Sequence, residues 1–146
     1  MAEGLFRKMV EADGLTKQVY VCSAGIYASE GATPSWKACE LMKRRSIDIS
    51  KKLAKPLDDE VIANSDLIIT MENEQKEHIQ SVFPKFKEKI FTLKELADEP
   101  DDIEDPMGGP FEIYENCANE IENALIKGKS RIFKILTLPQ SNHAKI

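Results

Sequence analysis

The chain has 146 residues, 42% of them hydrophobic and 31% charged, with a net charge of −5. That length suits one domain with a buried core, and the composition is too apolar for a disordered segment. The acidic balance offers nucleic acid no basic footprint, and no run approaches the length of a membrane span, so neither partner is expected.

Leu5, Phe6, Met9 and Val10 recur at helical spacing and stop before Asp13-Gly14, which predicts an opening helix. Residues 18–23 (QVYVCS) are β-branched and aromatic, and Ala24-Gly25 closes them as a strand. Ser35 is placed to cap a helix that runs through Trp36, Leu41 and Met42 to about Arg45. A turn follows at 46–50, Pro56 marks a break, and Asp58 or Asp59 starts a short helix to about Ala63. Residues 66–70 (DLIIT) read as a buried strand, followed by a helix from Glu72 to about Val82 and a short strand at 90–92. An acidic loop punctuated by proline and glycine spans 99–109. Ile113, Tyr114, Cys117, Ile121, Ala124 and Leu125 mark a long final helix from Phe111 to Lys127, with Gly128 as its stop. Residues 129–146 are basic and partly apolar; periodicity leaves open whether they continue that helix or dock on the surface. Strands alternating with helices imply an α/β fold with a parallel sheet covered on both faces. The expected organisation is a domain over 1–127 and a basic C-terminal tail over 128–146.

Four stretches carry a family resemblance. Met1-Ala2-Glu3-Gly4-Leu5-Phe6-Arg7-Lys8 is similar to the helix that follows the phosphate loop of low-molecular-weight protein-tyrosine phosphatases. Ser23-Ala24-Gly25 and Ile69-Thr70-Met71-Glu72 match that family after its second strand and along its third. Asp102-Ile103-Glu104-Asp105-Pro106-Met107-Gly108-Gly109 resembles its general-acid loop, and the final helix continues the likeness with Tyr114, Cys117 and Glu120. The resemblance covers roughly residues 1–127.

The resemblance implies a small three-layer α/β sandwich with a parallel sheet, here lacking the family's first strand, which lies centrally between the 18–23 and 66–70 strands. It also implies hydrolysis of phosphate from a protein phosphotyrosine or phosphoarginine through a cysteinyl-phosphate, with no metal or other cofactor. The expected substrate partner is therefore a phosphorylated protein. In the family the nucleophile and the phosphate-clamping arginine belong to a Cys-x5-Arg loop directly before Met-Ala-Glu. That loop would lie upstream of Met1, so the chain as written is expected to be inactive, through a start placed at an internal methionine or a truncated gene. Loss of the central strand would strip its two neighbours of their shared partner.

Asp105 is the catalytic candidate, as general acid and base. A leaving oxygen or nitrogen needs a proton as its bond to phosphorus breaks, and a carboxylic acid within reach supplies it. Pro106 fixes the backbone beside Asp105, Gly108-Gly109 let the loop bend, and the like charges of Asp101, Asp102 and Glu104 favour its protonated form. The bland alternative for Asp-Pro is a solvated acidic turn. Met107-Gly108-Gly109 stands where tyrosine-directed members often carry aromatics, and so lies closer to the bacterial form.

None of the three cysteines suits a nucleophile. Their odd count and unpaired spacing, with no secretion signal at the N-terminus, point instead to a reducing cytoplasm. Cys39 to Arg45 satisfies Cys-x5-Arg, yet its helix-forming residues include no glycine or serine for a phosphate nest. Cys22, in a strand, and Cys117, on a helix face, read as core residues. Gly128-Lys129-Ser130 imitates a nucleotide-loop ending on the wrong side of a helix, and His78 and His143 lack the further ligands a zinc site needs. Trp36 reads as packing, and Lys43-Arg44-Arg45 as a solvated helix end. Two other functional classes stay open: a non-catalytic homologue acting as a binding module, and an arsenate-reductase relative. The second needs extra cysteines after the third strand, and residues 72–116 contain none.

Overall fold

The computed structural model describes residues 1–137. Helix α1 (Ala2–Ala12) buries Leu5 and Val10 and ends where Gly14, at φ +69°, turns the chain back. Helix α2 (Trp36–Arg44) starts at Ser35, whose Oγ accepts the Ala38 N–H at 3.2 Å. Asp58 does the same for α3 (Asp59–Asn64), accepting from Val61 N at 2.8 Å. These caps fill the amide donors that a helix's first turn leaves unpaired.

Strand β1 (Ile68–Thr70) leads into α4 (Asn73–Val82), which opens with a capping box between Glu72 and Gln75. A 3-10 segment (Pro84–Lys89) follows, then β2 (Ile90–Thr92) and the one-turn helix α5 (Leu93–Leu96), again boxed, by Thr92 and Glu95. The two strands run parallel, with Ile68 opposite Ile90, Ile69 opposite Phe91 and Thr70 opposite Thr92. Their side chains alternate between two apolar clusters. Ile68 and Ile90 face Ile62 of α3 and Ile79 of α4. Ile69 and Phe91 face the larger cluster built from α1, α2, α5 and the final helix. The result is the expected three-layer α/β arrangement with a parallel sheet.

Two expected elements come out differently. Residues 18–23 form no strand. Tyr20 is 88% exposed, and Val19 and Val21 pack into neither cluster. Nearby, Gly25 makes an isolated parallel bridge to Pro56. A strand's backbone groups need a neighbour to bond, and β-propensity alone supplies none.

The final helix, α6, runs over Phe111–Thr137 and passes straight through Gly128. That glycine is a close approach and not a stop. A Cβ there would stand 3.1 Å from the Leu96 carbonyl, so its lack of a side chain lets α5 lie against α6. The helical cost of a glycine, about 1 kcal/mol, is offset by what lies beyond it. Ile132 is completely buried, and Phe133, Ile135 and Leu136 pack on the main cluster. The basic residues of this stretch serve the fold: Lys129 pairs with Asp13 at 2.6 Å and Arg131 with Asp98 at 3.1 Å. Residues 138–146, including His143, lie outside the described residues.

Candidate active site

The loop carrying Asp105 is fastened at both ends and along its length. Ile103 is 1% exposed, and its N–H donates to Met71 O at 2.9 Å, tying the loop to the end of β1. Asp102 accepts the Asn73 N–H at 2.8 Å, so its carboxylate caps the first turn of α4. Past Asp105, Pro106 is buried, Gly108 takes φ +81°, and Gly109 N–H donates to Pro106 O at 3.0 Å, closing a tight turn. Lys37 Nζ on α2 then donates to Gly109 O at 2.5 Å.

Asp105 itself is exposed. Its Oδ1 accepts the Met107 N–H at 3.0 Å, which fixes the side-chain direction, while Oδ2 has no partner among the described residues. One oxygen is used for orientation and the other is open to a bound group. Asp102 is thus taken up by the first turn of α4, whereas Asp105, the expected general acid, keeps one oxygen open.

The surroundings of Asp105 locate it. The Cys117 thiol is pushed above its usual range, first by burial, next by the Glu120 carboxylate, and in smaller part by Asp105, with partial relief from the Met1 ammonium. Asp105 and the Met1 ammonium thus both act on the Cys117 thiol of α6. The amino end of α1 presents backbone donors and the positive end of its dipole, which suits an anion.

The cysteines divide clearly. Cys117 is buried as expected, in a setting that disfavours the thiolate. Cys39 lies within α2, and Arg45, which would complete the Cys-x5-Arg pattern, binds Glu122 and Asn119 at 2.5 Å each. The stretch is helical, as its residue types predict, and not a phosphate loop. Cys22 corrects the core assignment: it is exposed on the unpaired 18–23 segment.

Trp36 also corrects a packing assignment. It is 69% exposed at the start of α2, beside the Lys37 that holds the Gly109 carbonyl, with that ammonium 6.0 Å from its ring. Met107, 81% exposed, stands on the same loop. The sequence carried one signal for this: Trp36 follows the cap residue directly, where a side chain leaves the helix before its buried face begins. Arg44, expected at a solvated helix end, lies 4.7 Å from the Phe111 ring and also pairs with Glu40 at 3.1 Å. His78 is exposed, near Tyr27. Gly128-Lys129-Ser130 lies inside α6 and offers no phosphate cradle.

A shallow groove beside the loop is lined by Asn73, Thr92, Glu95, Glu99, Asp101, Asp102 and Glu104. Its carboxylates oppose an anionic ligand, and Asp105 does not line it. Glu95 pairs with Lys76, and Glu99 with Lys94 and Lys127, so part of this acidity is already neutralised.

Comparison with known proteins agrees with the geometry. The sequence matches the family model described as low molecular weight phosphotyrosine protein phosphatase over residues 1–134. It is 35% identical over 126 residues to a protein-arginine-phosphatase of Bacillus subtilis, covering 86% of this chain and 82% of that one. An arsenate reductase of Staphylococcus epidermidis is 30% identical over 131 residues, covering 90% and 86%. The fold superimposes on the crystal structure of a YwlE mutant from Bacillus subtilis with a TM-score of 0.84 at 33% identity, over 91% of this chain and 88% of that one. The chain belongs to the low molecular weight phosphotyrosine protein phosphatase family.

Proposed function

We propose that this chain carries the general-acid half of a protein phosphatase, with Asp105 as proton donor to the leaving group and later as base towards the attacking water. The observation that carries the reading is the split use of the Asp105 carboxylate: Oδ1 held by Met107 N–H at 3.0 Å, Oδ2 open, on a loop fastened to β1 and α2. That Asp105 and the Met1 ammonium both act on the Cys117 thiol supports an approach of this loop to the amino end of α1. A proton donor so fixed contributes about 10²- to 10⁴-fold to such a reaction.

The substrate in this reading is a phosphorylated protein, with phosphoarginine favoured over phosphotyrosine. Met107 supplies a flexible thioether where an aromatic wall would suit a phenyl ring, and the Bacillus subtilis relative is a protein-arginine-phosphatase. Trp36, exposed beside the same loop, offers a planar face on which a guanidinium stacks. The setting in this reading is the cytoplasm, in keeping with three free thiols.

Burial disfavours the Cys117 thiolate and Cys39 lies within a helix, so turnover in this reading requires a Cys-x5-Arg phosphate loop other than the helical Cys39–Arg45 stretch. By itself the chain then acts at most as a binding module.

The test uses two proteins. Residues 1–146 alone should show no hydrolysis of p-nitrophenyl phosphate or of a phosphoarginine protein above background. Turnover that vanishes in Cys39→Ser would overturn this by making Cys39 the nucleophile. A version preceded by a strand and Cys-x5-Arg-Ser-Pro should be active, and Asp105→Asn should slow it by about 10²- to 10⁴-fold. The loss should be greatest for poor leaving groups. An equal loss across all leaving groups would mean that Asp105 only holds the loop in place.

A further inference from the structure

Charge is spread unevenly over this chain. The net charge is −5, yet one face gathers cations from three elements. Helix α1, the carboxyl end of α2 and the turn over 46–52 meet there. Gly4 lies against Ile47 and Ile49, and Lys8 Nζ donates to Arg45 O at 2.7 Å.

The cations of this face fall into two groups. Arg7 and Lys52 both pair with Glu3, Arg44 with Glu40, and Arg45 with Glu122. Lys8, Lys43 and Lys51 are exposed and reach no carboxylate at ion-pair distance among the described residues. They are also close to one another. Lys43 lies on the same helix end as the Arg45 carbonyl that Lys8 grips. The Asp48 carboxyl is held below its usual range first by hydrogen bonds from Ser50, then by the charges of Lys51 and Lys43. Within the fold this gathering of ammonium groups brings like-charge repulsion, which an external anion relieves.

We propose that this face docks an acidic protein segment, with Lys8, Lys43 and Lys51 meeting its Asp and Glu side chains. The surface alone supports this, independently of the phosphatase reading. The chemistry of the occupant follows from what surrounds the three ammonium groups. Leu53, next to Lys52 in the chain, is 56% exposed and offers an apolar contact that an aliphatic side chain matches. Carboxylates spaced along a polypeptide reach separate ammonium groups and leave room for Asp48 between them. Nucleic acid fits less well, because a duplex carries a charge about every 1.7 Å of its axis. Asp48 and the negative remainder of the chain oppose so dense a polyanion.

The probe is a fluorescein-labelled, amidated peptide, Glu-Asp-Leu-Glu-Glu-Asp, followed by fluorescence anisotropy at about 0.1 M salt, where distant charges are screened. It should bind the chain, and Lys43→Glu combined with Lys51→Glu should weaken binding by about tenfold or more. Lys43→Gln with Lys51→Gln, which adds no new repulsion, should give a smaller loss in the same direction. Lys85→Glu with Lys87→Glu changes the net charge equally, on the 3-10 segment that packs on the sheet's other face through Phe86. That pair should alter binding by less than about twofold. No binding by the parent chain, or equal losses in the two double reversals, would overturn the proposal. So would tighter binding of a DNA duplex than of the peptide, since nucleic acid would then be the occupant. Self-association without peptide that Lys43→Glu with Lys51→Glu abolishes would overturn it too, in favour of a second copy.

Discussion

Two regions with equally plain sequence signals meet opposite fates. Residues 18–23 have the β-branched and aromatic composition of a buried strand, yet they pair with no strand, with Tyr20 exposed and Val19 and Val21 half-buried. Residues 128–137 begin with a glycine, carry several positive charges, and end up as the last turns of α6 with Ile132 fully buried. The difference lies in where each element finds its backbone partners. A helix bonds to itself, so α6 needed only a surface on which to lay its apolar face, and α1, α2 and α5 supply it. A strand bonds only to a neighbour. Among the described residues the one sheet is β1 with β2, and neither strand pairs with 18–23.

The comparison breaks most directly by cutting into the helical side. Ile132→Ala should cost about 2–5 kcal/mol in urea denaturation, because a fully buried side chain leaves a cavity at the junction of α6 with the main cluster. Val21→Ala, at a half-buried position of the unpaired segment, should cost only about 1 kcal/mol. Similar losses for the two would mean that 18–23 is packed as tightly as the helix.

A smaller effect sharpens the reading of Gly128. Alanine is the better helix former by about 1 kcal/mol, yet its Cβ would meet the Leu96 backbone at 3.1 Å. Gly128→Ala should therefore destabilise the fold by about 1–3 kcal/mol. A gain in stability would show that α5 does not depend on this close approach.

Acid offers a gentler probe of how the loose segment is held. Burial works to raise the Glu3 carboxyl, but hydrogen bonds from Lys52 and Ser23 and the charges of Lys52 and Arg7 together outweigh it and hold the group below its ordinary value. The folded state then binds fewer protons than the unfolded chain. Its contribution is full above the ordinary glutamate range and is lost as pH falls through that range towards the depressed folded value. Stability should fall with acid across that window, and Glu3→Gln should flatten the fall; an unchanged slope would sink the assignment. Glu95, raised by burial but lowered more by its Lys76 hydrogen bond, the Thr92 amide and nearby cations, adds to the same trend, so the difference between the two proteins is the quantity to read.

The smallest effect is expected at the surface pair that joins the two ends of the described chain. Lys129→Ala removes the contact to Asp13, in which both side chains keep partial access to water, and should cost less than about 1 kcal/mol. A larger loss would mean that the last turns of α6 hang on charge and not on Ile132.

Much of this was legible from the sequence. The boundaries of α1 to α4 followed from apolar spacing and from the capping residues Ser35 and Asp58, whose side chains act within three residues of themselves. The Asp-Pro-Met-Gly-Gly run marked the loop because proline and glycine fix backbone locally. Cys39 to Arg45 was recognisable as a helix for the same reason. The rest depended on partners far along the chain. Whether 18–23 became a strand rested on a neighbour's backbone, and whether Gly128 ended a helix rested on Leu96. Which carboxylate of the acidic loop stayed open rested on Asn73 taking Asp102 and Met107 taking only one oxygen of Asp105. Trp36 was exposed because α2 turned Ala38, Leu41 and Met42 inward instead. Local chemistry determined where this chain turns and coils, because those interactions close within a few residues. Pairing, close approach and the aim of a side chain were decided only when distant segments met.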